Sequence, residues 1–252
     1  MNLARKIGDH TSSHSIGSWF RRARMARLLD LVSRVHRAKG QCSIIDVGGR
    51  REYWSIAPEG FLAQKRVSIT ITNIERDSVT RPDDGMFKFE FGDGRGLKYD
   101  DKSFDVAHSN SVVEHVGRWE DMVKFSKEVG RVGRSYFVQT PNFWFPFEPH
   151  FGVLYFQCLP TPLKVALLMK KERGFFPRMP TVDAAKRAIE HCELLDERMI
   201  KELFADAEIQ KERFAGIVKS FVAIRLADDI DDQAKWLDKE EWAATAETAR
   251  GY

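Results

Sequence analysis

From Cys42 to about residue 140, short apolar runs rich in β-branched residues alternate with more polar stretches. Runs of that length mark strands buried on both faces under covering helices, as in parallel sheets. The pattern predicts strands at 42–47 (CSIIDV), 67–74 (VSITITNI), 86–91 (MFKFEF), 104–108 (FDVAH) and 134–139 (RSYFVQ), with helices between most of them. The clearest helix is 119–132, where Trp119, Met122, Val123, Phe125, Val129 and Val132 recur at helical spacing and lead into the fifth strand. Ahead of the sheet, Met25, Leu28, Leu31, Val32 and Val35 predict an amphipathic helix over 18–35, its arginines on a solvated outer face.

After Thr140 the alternation stops. Residues 141–194 are too long for an ordinary connection, and Phe143 to Pro180 holds Phe143, Trp144, Phe145, Phe147, Phe151, Tyr155, Phe156, Phe175 and Phe176. Such an insertion is expected to act as a lid over an apolar or lipid-linked acceptor, or to cover a sheet edge or form a dimer face. Helical spacing returns at 195–204, and 207–214 with 219–226 reads as an antiparallel pair closing one end of the sheet. The expected organisation is a basic helical segment at 1–40, an α/β domain at 41–226 carrying the insertion, and an acidic tail at 227–252. In that tail Trp236 and Trp242 mark a helix or a docking element.

Composition narrows the function classes. The 252 residues are 43% apolar and 31% charged, an ordinary globular balance. Forty Lys and Arg against 37 Asp and Glu leave a net charge of +3, which gives no general drive toward nucleic acid, and no nucleic-acid-binding module is visible. No nucleic-acid partner is expected. The charge is uneven, with nine Lys and Arg against two Asp and Glu in 1–40, and eight Asp and Glu against three Lys and Arg in 227–252. The ends are therefore suited to pairing with each other or with a second subunit in a homodimer. Cys42, Cys158 and Cys192 are odd in number and dispersed, as for reduced thiols, so a cytoplasmic protein is expected and their spacing names no metal ligands. Neither a signal sequence nor a membrane span is expected. Lys170, Lys171 and Arg173 beside Phe175 and Phe176 suggest a peripheral membrane contact through 143–176.

In open α/β sheets ligands bind beyond the carboxyl ends of the strands, and here those ends form a series. The first runs into Asp46-Val47-Gly48-Gly49-Arg50, where glycine permits a sharp turn. The second ends at Glu75, a carboxylate able to accept both hydroxyls of a ribose. The third runs into Phe91-Gly92-Asp93-Gly94-Arg95, with Asp93 able to accept an adenine amine or simply to form an Asp-Gly turn. The fourth is followed by Ser109-Asn110-Ser111-Val112-Val113-Glu114-His115.

These motifs resemble the class I S-adenosylmethionine-dependent methyltransferases, specifically the type 11 methyltransferase-domain family, over about residues 42–226. The carrying elements are the DVGG turn, Glu75, GDGRGL at 92–97, KSFDVAHSNSVVEHV at 102–116 and Thr140-Pro141-Asn142. The resemblance implies a Rossmann-like, seven-stranded, mostly parallel sheet with an antiparallel last strand, and S-adenosyl-L-methionine as cofactor. It implies that Asp46, Gly48 and Gly49 shape the methionine end of the pocket, that Glu75 holds the ribose and Asp93, with Gly94, the adenine, and that Ser109 and Asn110 lie beside the sulfonium. The family usually reads Asp-Val-Gly-x-Gly-x-Gly; here Arg50 and Glu52 replace the second and third glycines, so the Arg50 side chain must point away from the ligand or the cofactor must sit differently.

Methyl transfer is an in-line displacement that positioning alone can largely promote. A weakly acidic acceptor also needs a base, and His115 is the first candidate. His150, with Glu148 to orient it, is the second; either can instead be a packed or turn residue. The leading expectation is transfer to a hydroxyl, ahead of an amine or carbon, of a small molecule, glycan or lipid-linked intermediate. The alternative is a non-catalytic relative whose altered glycine loop no longer binds cofactor. A nicotinamide-dependent oxidoreductase ranks below both, because the GxGxxG turn is missing.

Overall fold

The computed structural model describes residues 16–148, 150–228 and 230; the expectations for 1–15 and for the tail beyond 230, including Trp236 and Trp242, fall outside them. The chain opens with α1 (Ile16–Lys39) and β1 (Cys42–Val47), followed by a 3-10 segment (Arg51–Ile56), α2 (Phe61–Gln64), β2 (Val67–Asn73), α3 (Arg76–Val79) and β3 (Phe87–Phe91). Next come β4 (Phe104–Asn110), a 3-10 turn (Val113–His115), α4 (Trp119–Val132) and β5 (Gly133–Pro141). A hairpin of β6 (Phe147–Glu148) and β7 (Val153–Leu154), then α5 (Thr161–Lys170) and α6 (Val182–Glu190), form the insertion. The chain closes with α7 (Glu197–Leu203), β8 (Glu208–Phe214) and β9 (Ile217–Arg225).

Seven strands form one sheet in the order β3-β2-β1-β4-β5-β9-β8. The first five pair in parallel, and β9 runs antiparallel to both β5 and β8. The expected fold and closing hairpin are therefore both present. Strand order reverses between β1 and β4, the switch point at which such sheets bind ligands. Registers Val47↔Thr72, Asn73↔Phe91 and Asp46↔His108 bring the carboxyl ends of β1 to β4 level with one another.

Period-two alternation sends neighbouring strand residues to opposite faces. Ile44 enters a core built with α1 through Met25, Leu28, Leu31, Val32 and Val35. Ile45 enters the opposite core, with Met122, Phe125, Val129 and Val132 of α4 and Ile200 and Leu203 of α7. The insertion leaves and returns at Asn142 and Leu195, which pair as an isolated bridge, and it has a small core of its own around Phe151, Phe156 and Leu168. Phe151 stacks on Phe156 at 4.0 Å and on Phe176 at 5.0 Å. No helix among the described residues is long and apolar enough to cross a membrane.

Helices lie in three of the four crossovers between the parallel strands, as expected, but those after β1 and β2 are the single-turn α2 and α3, and α1 covers that face. One expectation is corrected: the arginines of α1 do not all face solvent, since Arg24, Arg27 and Arg34 are buried. Glu212 of β8, fully buried, draws Arg24 and Arg27 inward through ion pairs of 2.6 and 3.3 Å, and Ser220 donates to the same carboxylate at 2.5 Å.

Burial opposes ionisation of Glu212, but the two guanidiniums outweigh it and hold its carboxyl down at about 2, against an ordinary 4.5. A folded-state value below the unfolded one stabilises the fold at pH above about 4.5, and the contribution is lost as pH falls toward 2. Replacing Glu212 by Ala strands buried cations and is expected to cost about 3–5 kcal/mol in urea unfolding. The advantage of wild type over Glu212→Gln should be full at neutral pH and shrink steadily through that acid window; a constant difference would contradict the assignment.

Candidate active site

At the end of β1, Gly48 adopts φ +74°, and a Cβ there would lie 2.6 Å from Val112, so both backbone and space require glycine. Asn73 donates to the Gly48 and Gly49 carbonyls at 3.1 and 3.0 Å, latching the turn to β2. Asp46 does not reach the cleft. Its fully buried carboxylate accepts from Trp54 Nε1 at 2.8 Å and pairs with His108 Nδ1 at 2.7 Å. A Cβ on Gly49 would sit 2.0 Å from Asp46 Oδ2, so the carboxylate shapes the turn from behind.

Glu75 lies just past β2, its backbone N–H on Asn73 Oδ1 at 2.9 Å, and its side chain is 59% exposed. Of the two arrangements expected for Arg50, pointing away or a displaced cofactor, the structure shows its side chain ion-paired directly with Glu75. The side chain that replaces the second glycine thus lies on the carboxylate expected to hold a ribose. Asp93 is half-buried and pairs with Arg95 at 2.6 Å, a bond that holds its carboxyl below the usual range. Gly94 is confined by Val47 and Phe125, which a Cβ would meet at 2.7 and 2.8 Å. Ser109 is fully buried and donates to the Val47 carbonyl at 2.9 Å, which ties the end of β4 to β1. Asn110 is half-buried, and its Oδ1 accepts from Arg24, so α1 reaches the end of β4.

Across the cleft the structure gathers side chains far apart in sequence. His115 ends the 3-10 turn after β4 with Nδ1 on the His191 carbonyl at 2.9 Å. His150 follows β6, with Nδ1 2.6 Å from Glu148 Oε1 and 3.8 Å from Cys192 Sγ. Glu148 is buried and is also fixed by the Phe151 N–H at 2.9 Å. The His115 ring centroid lies 4.9 Å from those of both His150 and His191. Burial pushes the His115 imidazole below its ordinary value. For His150 burial acts the same way, but the hydrogen bond and charge of Glu148 outweigh it and raise it. Both expected bases therefore belong to one cluster.

Two of its members were missed from sequence. Glu114 is fully buried, accepts from Thr140 at 3.1 Å, and is pushed up to about 7 by burial. Its Oε1 has no partner among the described residues. The adjacent Glu-His at 114–115 was visible, but not its burial. Cys192 joins only because the insertion folds back, Glu193 N–H donating to the Glu114 carbonyl at 2.8 Å. Beside the cluster, Glu148 and Cys192 line a cavity of about 380 Å³ with Phe143, Trp144, Phe156 and Met199. That cavity lies under the insertion, and its lining includes neither Glu75, Asp93 and Asn110 nor the two histidines.

Residues 61–136 match the protein family described as "Methyltransferase domain". Uncharacterized proteins Rv1509 and MT1557 of Mycobacterium tuberculosis are each 42% identical over 53 residues, 21% of this chain and 18% of each relative's length. Among solved structures, a SAM-dependent methyltransferase from Methanosarcina mazei is 18% identical, covers 77% of this chain and 97% of its own, and has a TM-score of 0.44. The magnesium protoporphyrin IX methyltransferase of Synechocystis, with bound SAH, is 14% identical over 79% and 84% at a TM-score of 0.43. The Burkholderia thailandensis 1,6-didemethyltoxoflavin-N1-methyltransferase is 12% identical over 79% and 77% at 0.45.

Gly49→Ala is expected to cost about 1–3 kcal/mol by driving a methyl into the buried Asp46 carboxylate, read as a lowered urea midpoint. An unchanged midpoint would show that Asp46 moves freely.

Proposed function

We propose that this chain, whose residues 61–136 match the family described as "Methyltransferase domain", is an S-adenosylmethionine-dependent methyltransferase whose acceptor is a hydroxyl on a small molecule, glycan or lipid-linked intermediate. The observation that carries this reading is the alignment of exposed or half-buried polar groups, Glu75, Asp93 and Asn110, at the level ends of successive strands around a switch point. Those residues fit the cofactor: two carboxylates for ribose hydroxyls and adenine amine, and an amide near the sulfonium, beside a turn held open by Gly48. When bound, S-adenosylmethionine supplies an electrophilic methyl group.

The protein's own residues do the rest. Arg50 occupies Glu75 Oε2, one of the two oxygens that a pair of ribose hydroxyls would use, so the Arg50–Glu75 pair competes with cofactor. With both partners about three-fifths exposed, at 61% and 59%, the pair is weak, worth up to about 1 kcal/mol. The insertion acts as a lid, and the cavity lined by Phe143, Trp144 and Phe156 takes the apolar part of the acceptor, whose hydroxyl extends from it past the histidine cluster toward Asn110. Glu148 holds the His150 ring, and His150 with His115 orients the acceptor hydroxyl and receives its proton, while apolar walls exclude competing water.

Titration calorimetry with S-adenosylhomocysteine tests the cofactor half. Glu75→Ala should weaken binding about 10–100-fold, the loss of charge-assisted hydrogen bonds. Arg50→Ala should tighten it, by up to about 5-fold. Equal affinity in wild type and Glu75→Ala would leave the non-catalytic alternative standing. For the acceptor half, His150→Ala should lower turnover about 100-fold or more on a hydroxyl acceptor found by screening, with S-adenosylhomocysteine affinity unchanged. Unchanged turnover would make His150 structural.

A further inference from the structure

The His115, His150 and Cys192 group carries more than an acid–base role. One potential ligand atom from each, a ring nitrogen or the sulfur, lies within 4.8 Å of the other two. Imidazole and thiolate together select zinc and its borderline-soft neighbours over calcium or magnesium, which take oxygen. A tetrahedral zinc, with bonds of about 2.0–2.3 Å, needs ligand atoms roughly 3.3–3.8 Å apart. With His150 Nδ1 on Glu148, its Nε2 is left as the ligating atom, and the three ligand atoms, all within 4.8 Å of one another, close by at most about 1–1.5 Å, within reach of side-chain rotation at half-buried positions.

The surroundings have the form of an outer shell. Metal-binding histidines are held by a hydrogen bond from one ring nitrogen to a carbonyl or carboxylate. His115 has such a bond to the His191 carbonyl at 2.9 Å, and Glu148 stands 2.6 Å from His150 Nδ1. Glu148 is in turn fixed by the Phe151 N–H, and the Phe175 N–H donates to the His150 carbonyl at 2.8 Å. The ligands come from the turn after β4 and from both ends of the insertion, so a bound ion would cross-link lid and sheet.

We propose that His115, His150 and Cys192 form a binding site for a single zinc-class divalent cation at the junction of the insertion with the sheet. Among the described residues the site offers three ligands, the number that leaves a fourth position open to a water or a substrate oxygen. Cys192 and Glu148 line the cavity, so that position faces the acceptor chamber. In the metal-free protein the cluster takes a proton; loaded, it presents a Lewis acid to the same hydroxyl. Only this last consequence rests on the methyl-transfer reading.

The test is a titration of the full, chelator-treated chain with Co²⁺, followed by displacement with Zn²⁺. Binding at one ion per chain should produce a thiolate-to-cobalt charge-transfer band in the near ultraviolet, and Zn²⁺ should abolish it. Cys192→Ser should remove the band, and His150→Ala should weaken Zn²⁺ binding at least as much as the roughly 10–100-fold expected when an outer-shell partner is lost. Glu148→Gln should keep the band and weaken binding by that 10–100-fold. If His150→Ala fails to fold by circular dichroism, the conservative Cys192→Ser and Glu148→Gln variants carry the test. The absence of a charge-transfer band, or Zn²⁺ affinity unchanged in Cys192→Ser, overturns the proposal. A chain that binds S-adenosylhomocysteine but gives no band loses the metal alone; one that gives the band but binds no S-adenosylhomocysteine loses the methyl-transfer reading alone.

Discussion

A carboxylate with no access to water must be met by positive charge, and Glu212 is met by Arg24 and Arg27 from the far end of the chain. The two ion pairs tie α1 to β8 across the sheet. Once α1 is fixed, Met25, Leu28, Leu31 and Val32 cover the face that the shortened crossovers after β1 and β2 leave bare. The same helix also delivers Arg24 to Asn110 at the end of β4. Charge burial at one edge of the sheet thereby orders a polar group at the switch point.

The site has two halves joined by buried polar contacts. Strand ends provide the exposed carboxylates on one side, and the insertion provides the histidine cluster and cavity on the other. Glu114 stands between them: its backbone carbonyl holds the insertion through Glu193, its side chain holds Thr140 of β5, and His150 and Arg24 act on its charge from opposite sides. Burial pushes this carboxyl up to about 7, against the opposing pull of His150, Thr140 and Arg24.

The parts of the fold set by local periodicity were legible in the sequence. The helix at 119–132 matches α4 residue for residue, and the five parallel strands and the closing hairpin fall within a few positions of their expected limits. What was not legible depends on long-range pairing. The arginines of α1 read as a solvated face because their partner, Glu212, lies 188 residues away from Arg24. Asp46 and Ser109 occupy expected cofactor positions, yet their side chains are consumed by Trp54, His108 and the Val47 carbonyl. Cys192 looked like an isolated thiol, since only the return of the insertion to Leu195 brings it to His150. Glycine spacing flagged Arg50 as a departure but could not show that its partner is Glu75.

The account depends on the carboxyl ends of β1 to β4 being a cofactor cleft. The most direct measurement is a crystal structure of the full chain grown with S-adenosylhomocysteine. The expected result is Glu75 released from Arg50 and bonded to the ribose hydroxyls, with the adenine amine at Asp93 and the sulfur beside Asn110. A structure at saturating ligand in which Arg50 still holds Glu75, with the ligand elsewhere or absent, would contradict it.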